Sequence, residues 1–350
     1  MKGGINTLLC ILLLTIYSCT KATKEPKDET THPIGQTDDD ESIDGSTDTI
    51  VYRNNIPNAS NVINLKNYLG NTENIHPKVL YFEKGWRGYK FWMAYTPYPR
   101  GQVKHENPCI AVSQDGINWT TPKGLKEIPL DPQYENGYNS DTHLVYRKDL
   151  DIIECWYRPY NTKIKKNSIN RRVSHDGINW QSKEVLIGFD GVQMLSPAIE
   201  FDDNKYKIWY CYEGEIRYIE SLDASAKNWP HKYERIKFDW TKYYPWHMDV
   251  IKTDKGFEMI VCAWERSLKG ANNNTADLFY CSTDDQGLVT RDPFPIIKRN
   301  TNPNCFDTRS IYRSSFIKIK GKYYIFYSSI SEDWTRSMAL SVFITSMCHG

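Results

Sequence analysis

The stretch Ser113-Gln114-Asp115-Gly116-Ile117-Asn118-Trp119 returns almost unchanged as Ser174-His175-Asp176-Gly177-Ile178-Asn179-Trp180. Asp-Gly is a tight-turn pair: glycine accepts positive φ, and the Asp side chain bonds its own backbone. An apolar strand precedes each copy, and the Trp that follows is a wedge for a neighbouring sheet. Two such turns, each closing the same strand series, define an internal repeat, and a repeat constrains the fold before anything else does.

From residue 76 one order recurs: an apolar strand A, a turn, an aromatic strand B, a polar loop, a strand C, a turn and an outer strand D. Unit one places these at 76–82, 89–95, 108–113 and 126–130, and unit two at 141–146, 152–157, 169–174 and 183–187. Unit three has 196–201, 206–212, 216–221 and 233–238, with a longer C–D turn that still ends Asn228-Trp229. Unit four has 247–252, 257–264, 278–282 and 295–298, and unit five 313–319, 323–328 and 337–344. The 24 Tyr and 11 Trp favour strands over helices. The spacing predicts an all-β fold, a five-bladed β-propeller of four-stranded antiparallel blades over residues 51–350. Unit five lacks a D strand, and residues 49–53 are expected to supply it and close the ring.

The N-terminus reads as a leader. Lys2 carries charge, residues 8–16 are apolar, and the run is too short to span a bilayer. Ile16-Tyr17-Ser18-Cys19 resembles a bacterial lipobox, which implies signal residues 1–18, diacylation of Cys19 and a lipid-anchored place in the cell envelope, at the outer membrane or cell surface. Residues 19–50 are polar and acidic and cannot bury enough surface to fold. As a tether of about 30 residues they reach roughly 30 Å. A net charge of +1 leaves no electrostatic footprint for nucleic acid. Seven cysteines follow the leader, an odd number that argues against a disulfide framework, and three of them sit in aromatic strands as small hydrophobes. No metal or cofactor motif occurs, so no metal or cofactor is expected, although polar axial residues could hold Ca²⁺. Nothing points to more than a monomer.

In a propeller the A strands line the central channel. Aligned on their apolar residues, they give a first column of His76, Asp141, Ser196, His247 and Arg313, and a second of Lys78, His143, Ala198, Asp249 and Ser315. Residues two apart share a strand face, so both columns enter one funnel. Gathering that many polar groups is costly unless they pair or perform chemistry. Loops on the same face add Glu106, Glu135, Glu213, Glu265 and Asp307, and rings such as Tyr98, Tyr138, Tyr160, Tyr212, Tyr244 and Trp246. Acids at the base and rings on the wall suit a carbohydrate.

Glycoside cleavage needs one protonated and one ionised carboxyl group. Asp141 is expected as base or nucleophile, with Asp249 facing it as acid or pKa modulator. Glu213 leads as the loop-borne acid, with Glu265, Asp307 and His247 as competitors. His143 and His247 would tune the carboxylates, Lys78 and Arg313 would bind hydroxyls or a carboxylate, and His76, Glu106 and Trp246 complete the substrate-binding set. The turns are expected on the opposite face, as structural elements.

The five units and funnel acids over residues 60–345 resemble the five-bladed propeller glycosidases, the arabinanase/xylosidase and invertase/levansucrase groups. That resemblance implies a surface-tethered glycoside hydrolase acting on a polysaccharide or oligosaccharide. The alternative is a non-catalytic glycan-binding lipoprotein of the same fold. The turn is also similar to the sialidase Asp-box but one residue shorter, and the columns hold a single Arg.

Overall fold

The computed structural model describes residues 62–132, 136–190, 194–236, 242–267, 275–284 and 293–344. The leader, Cys19, the acidic tether, residues 49–53 and Glu135 lie outside the described residues. Blade one is β1 (Asn74–Trp86), β2 (Tyr89–Pro97), β3 (Cys109–Ser113) and β4 (Trp119–Thr120). Blade two is β5 (Gly137–Arg147), β6 (Ile152–Asn161), β7 (Lys166–Ser174) and β8 (Glu184–Asp190). Blade three is β9 (Leu195–Asp202), β10 (Lys205–Tyr212), β11 (Glu215–Glu220) and β12 (Glu234–Arg235). Blade four is β13 (Tyr243–Thr253), β14 (Gly256–Glu265), β15 (Asp277–Ser282) and β16 (Phe294–Ile297). Blade five is β17 (Ser310–Ile319), β18 (Lys322–Ile330) and β19 (Arg336–Ile344). Each sheet is an antiparallel meander with its strands in sequence order. The five-bladed β-propeller is therefore the observed fold.

What holds the wheel together is apolar burial between blades. Five hydrophobic clusters are found, one at each seam, including the seam between blades five and one. Trp92, Trp156 and Trp209 are fully buried, each on the second strand of its blade. At about 150–250 Å² per ring and about 25 cal/mol per Å², each contributes roughly 4–6 kcal/mol as an upper figure. Cys109, Cys155, Cys211, Cys262 and Cys281 are free thiols buried within these seams. Burial pushes the Cys155 and Cys281 thiols up to about 12, as expected of small hydrophobes.

One strand assignment is corrected. The outer strand of blade one is the short β4 beside the turn rather than residues 126–130, because Trp119 pairs with Ser113 as soon as the turn closes. The fifth blade is completed by Val62, which bridges Ala339, and by Ile63, whose N–H donates to Met338 O at 2.8 Å. Blade five thus gains an edge contact from the N-terminal side, while the expected strand at 49–53 lies outside the described residues.

The repeated turn folds identically in both copies. Asp115 Oδ1 accepts the N–H groups of Ile117 and Asn118 at 2.8 Å each, and Oδ2 accepts Asn118 Nδ2 at 2.7 Å. Trp119 Nε1 donates to Gly116 O at 2.9 Å. Asp176, Asn179 and Trp180 repeat these bonds at 2.7–3.2 Å. Burial works against the two carboxylates, but the converging donors outweigh it and hold both down to about 2. These acids are consumed by the backbone and do structural work.

Gly177 has φ +74°, and a Cβ there would meet the Trp92 ring at 2.1 Å, whereas Gly88, at φ +87°, has open space around it. Ala at either position costs the left-handed strain of about 1 kcal/mol. Gly177→Ala adds overpacking of a rigid indole, typically about 1–3 kcal/mol. Urea unfolding should therefore show Gly177→Ala less stable than Gly88→Ala by that margin. Equal midpoints would mean that the turn does not clamp Trp92.

Candidate functional site

Each innermost strand carries a register break where it reaches the funnel. The breaks fall between Ile75 and Lys78, Ser140 and His143, Pro245 and His247, and Ile311 and Ser314, and opposite Trp209–Cys211 on β9. A β-bulge adds a residue to one strand and re-aims side chains. His76, Asp141 and Ser196 take left-handed φ values of 57°, 55° and 51° to do so. Each costs on the order of 1 kcal/mol, and such strain clusters at functional sites. The released N–H groups find side-chain acceptors. His76 N donates to Ser328 Oγ at 3.1 Å, Asp141 N to His76 Nδ1 at 3.3 Å, and Met248 N to Ser196 Oγ at 3.2 Å.

The upper layer is built around Asp141. Its Oδ1 lies 3.7 Å from His76 Nε2, 3.7 Å from His247 Nδ1 and 3.6 Å from Arg313 Nη1. Arg158 Nε donates to Oδ2 at 2.7 Å, and Arg158 Nη2 donates to Ser140 Oγ at 2.9 Å. Thr96 Oγ1 is 3.1 Å and Glu106 Oε2 3.8 Å from His76 Nδ1. Tyr312 covers His247, with ring centroids 4.2 Å apart. His76, Glu106, Asp141, Arg158, His247 and Arg313 are all buried.

Burial and neighbouring charge divide the protons. Burial alone would raise the Asp141 carboxyl, but Arg158 first, then His76, His247 and Arg313, hold it well below the usual carboxylate range. Burial pushes Glu106 up to about 8, the Asp141 charge adds to this, and Arg158 opposes it. Burial holds His76 down to about 3 and His247 well below its ordinary value, despite the Asp141 charge. Near neutral pH the floor thus has one ionised carboxylate, one protonated carboxyl group and two neutral imidazoles.

The second column forms a layer of its own. Lys78 Nζ donates to Asp249 Oδ1 at 2.7 Å, and Phe316 N to Asp249 Oδ2 at 3.1 Å. His143 Nδ1 is 4.0 Å from Asp249 and 3.3 Å from Arg313 Nη2, which also donates to Pro197 O at 3.0 Å. Asp249, expected to face Asp141, has Lys78 and Phe316 N as its partners, while the carboxyl group that shares His76 with Asp141 is Glu106. Glu213 is also placed elsewhere. It is exposed in the tight turn between β10 and β11, at φ 49°, and no contact joins it to Asp141 among the described residues. Asp307 accepts from Tyr327 OH and Glu265 from Ser267 Oγ, and no contact joins either to the trio among the described residues. Arg158, Tyr312 and Thr96 escaped the sequence reading. A charge at the end of the apolar run of β6 was the available signal for Arg158.

His76, Asp141 and His247 each offer a ligand atom, and these lie within 4.8 Å of one another. His76 Nε2 and both His247 ring nitrogens are buried without a hydrogen-bond partner among the described residues. Two neutral imidazoles and a carboxylate suit a divalent ion such as Zn²⁺, Mn²⁺ or Fe²⁺. The spacing of His76, Asp141 and His247 along the chain matches no local ligand motif, so this set appears only when three blades meet.

A five-bladed propeller with a buried titratable centre on its axis is the class that fold and site define. No family model matches the sequence. The chain is 27% identical over 178 residues to an A type blood N-acetyl-α-D-galactosamine deacetylase of Flavonifractor plautii, a match covering 41% of this chain and 23% of that protein. The matched stretch is thus about a quarter of that protein's length. Among solved structures, an N-acetylgalactosamine deacetylase from F. plautii, in complex with blood group B trisaccharide, superposes with a TM-score of 0.70 at 20% identity, over 81% of this chain and 94% of that one. A thermostable family-43 glycoside hydrolase gives 0.57 at 12% identity, over 80% and 92%. An exo-1,5-α-L-arabinanase from a bovine ruminal metagenomic library gives 0.52 at 12%, over 77% and 92%. At these identities the likeness establishes the fold, a propeller architecture shared with glycan-processing enzymes.

The Glu106 proton gives a signed test. Its folded value of about 8 lies above the ordinary 4.5, so the folded state binds the extra proton between those limits. Its contribution to stability is present below about pH 4.5 and is lost as pH rises toward 8, at up to about 1.4 kcal/mol per pH unit. The neutral histidines act oppositely at lower pH, so the difference between proteins isolates the effect. Urea midpoints should show Glu106→Gln gaining on wild type from pH 5 to pH 8. A difference that stays constant with pH would remove the buried proton.

Proposed function

We propose that the protein is a glycan-processing hydrolase whose reaction centre is His76, Asp141 and His247, with Glu106 beside them. The observation that carries this reading is the divided protonation of one buried floor: Asp141 ionised, Glu106 protonated, and two imidazoles neutral with unpartnered nitrogens. An axial set of this kind, on a fold shared with sugar-processing enzymes, supports chemistry on a sugar.

Two bonds are within reach of these groups. Glycosidic cleavage requires a proton donor and an ionised carboxylate. Glu106 and Asp141 fill those roles on either side of His76, and this is the specific support for a glycosidase. Removal of an N-acetyl group from an amino sugar would engage the imidazoles as well. His76, Asp141 and His247 would hold a divalent cation, which when bound polarises a carbonyl oxygen and acidifies a water. Arg158 and Arg313 keep Asp141 ionised, neutral His247 keeps a lone pair free, His76 would offer one at Nε2 once its proton moved to Nδ1, which now accepts Asp141 N–H, and Glu106 carries a proton that a departing amine could take up. This second reaction gives every floor residue a role, and the neighbour at a TM-score of 0.70 is a deacetylase. The proposed setting is the cell envelope, with Cys19 as the lipid anchor.

Assays on N-acetylated oligosaccharides and aryl glycosides should follow acetate and reducing sugar separately. Asp141→Asn should lower turnover by roughly 10²–10⁴-fold. Acetate release that a chelator stops and added Zn²⁺ or Mn²⁺ restores would select the amide. Sugar release that resists the chelator but fails in Glu106→Gln would select the glycosidic bond. Equal turnover by wild type and Asp141→Asn would remove this centre from the mechanism, and glycan binding without turnover would leave a lectin.

A further inference from the structure

The bulge on β13 that turns His247 to the floor leaves its neighbour Trp246 half-buried beside the reaction centre. Trp246 is held in place. Its Nε1 donates to Tyr312 OH at 3.4 Å, and Tyr312 in turn lies over His247. Trp264 leans against it at 5.6 Å and 48°, and Tyr244 stacks on Trp264 at 4.5 Å and 9°. Arg266 covers Tyr244 at 4.8 Å and is tied by its own guanidinium to Tyr243 O and Gly214 O at 2.9 Å each. The wall is therefore braced from behind, so little side-chain freedom is left to lose on binding.

Trp246 stays partly exposed, and its ring contacts are edge-on or tilted. His247 meets it edge-on at 90°, Trp264 is tilted, and no ring lies parallel to it and no cation covers it among the described residues. On blade two, the floor residue Arg158 lies 5.8 Å from the rings of both Tyr138 and Tyr160. A partly exposed, braced indole next to the buried polar floor suits a ligand with one apolar flat side and a hydroxylated edge, which is a pyranose ring.

We infer that Trp246 is a stacking subsite for a second sugar ring, joined to the residue whose bond is cleaved. This rests on the glycan reading and deepens it: the preferred substrate is an oligosaccharide rather than a monosaccharide, and blade four selects it. Trp246 acts as a specificity-determining residue, and the floor acids act on the neighbouring unit.

Calorimetric titration with N-acetylgalactosamine, N-acetylglucosamine, and trisaccharides that carry them at one end tests this without requiring turnover. In Trp246→Ala, affinity for the trisaccharide that wild type binds should fall roughly tenfold, while affinity for its monosaccharide changes less than about twofold. Trp246→Phe, which keeps a flat ring, should recover part of the loss, and its circular dichroism should match wild type. Equal losses for both ligands, or no loss for either, would overturn the subsite while leaving the glycan reading intact. Wild-type protein that binds none of these sugars would overturn both.

Discussion

The 2.7 Å ion pair between Arg158 and Asp141 sets the terms for the whole funnel floor. Both groups are almost entirely buried, so neither can be screened by water. With Arg158 in place, Asp141 stays ionised despite its burial. Burial keeps Glu106 as an acid, and the fixed negative charge of Asp141 adds to that effect. A buried ion pair of this kind is weak evidence for stability, because desolvation offsets much of its Coulomb energy. Its consequence here is a defined charge state at one point on the axis.

The geometry that brings those groups together is paid for by the seams. Left-handed backbone at His76, Asp141 and Ser196 opposes folding, and so does the burial of Lys78, Arg313 and their partners. The five inter-blade clusters surround the strained strands and hold them by apolar contact. Serine and histidine side chains then take up the N–H groups that the bulges release. Strain at the centre and close packing around it are two sides of one arrangement.

Two layers of charge follow from the same construction. Asp141 and Glu106 occupy the upper layer, and Asp249 with Lys78 and His143 the lower. Arg313 touches both, since one nitrogen faces Asp141 and another faces His143. The lower layer satisfies its own charges, whereas the upper one keeps unpartnered imidazole nitrogens, and that difference separates support from reaction centre.

The chain's periodicity was enough to establish the wheel. Local turn chemistry at Asp115 and Asp176, and apolar strands at regular spacing, act over a few residues and are visible without coordinates. The A-strand columns were legible for the same reason, and His76, Asp141, His247 and Arg313 do meet on the axis. The partner of Asp141 was not legible. A one-residue bulge rotates a side chain without leaving any mark in the pattern, and the loop before β3 carries Glu106 into the funnel by tertiary packing alone. Ionisation was equally out of reach of the sequence. Whether a buried carboxyl keeps its proton depends on which groups lie within a few ångströms, and those acting on Asp141 come from four different blades.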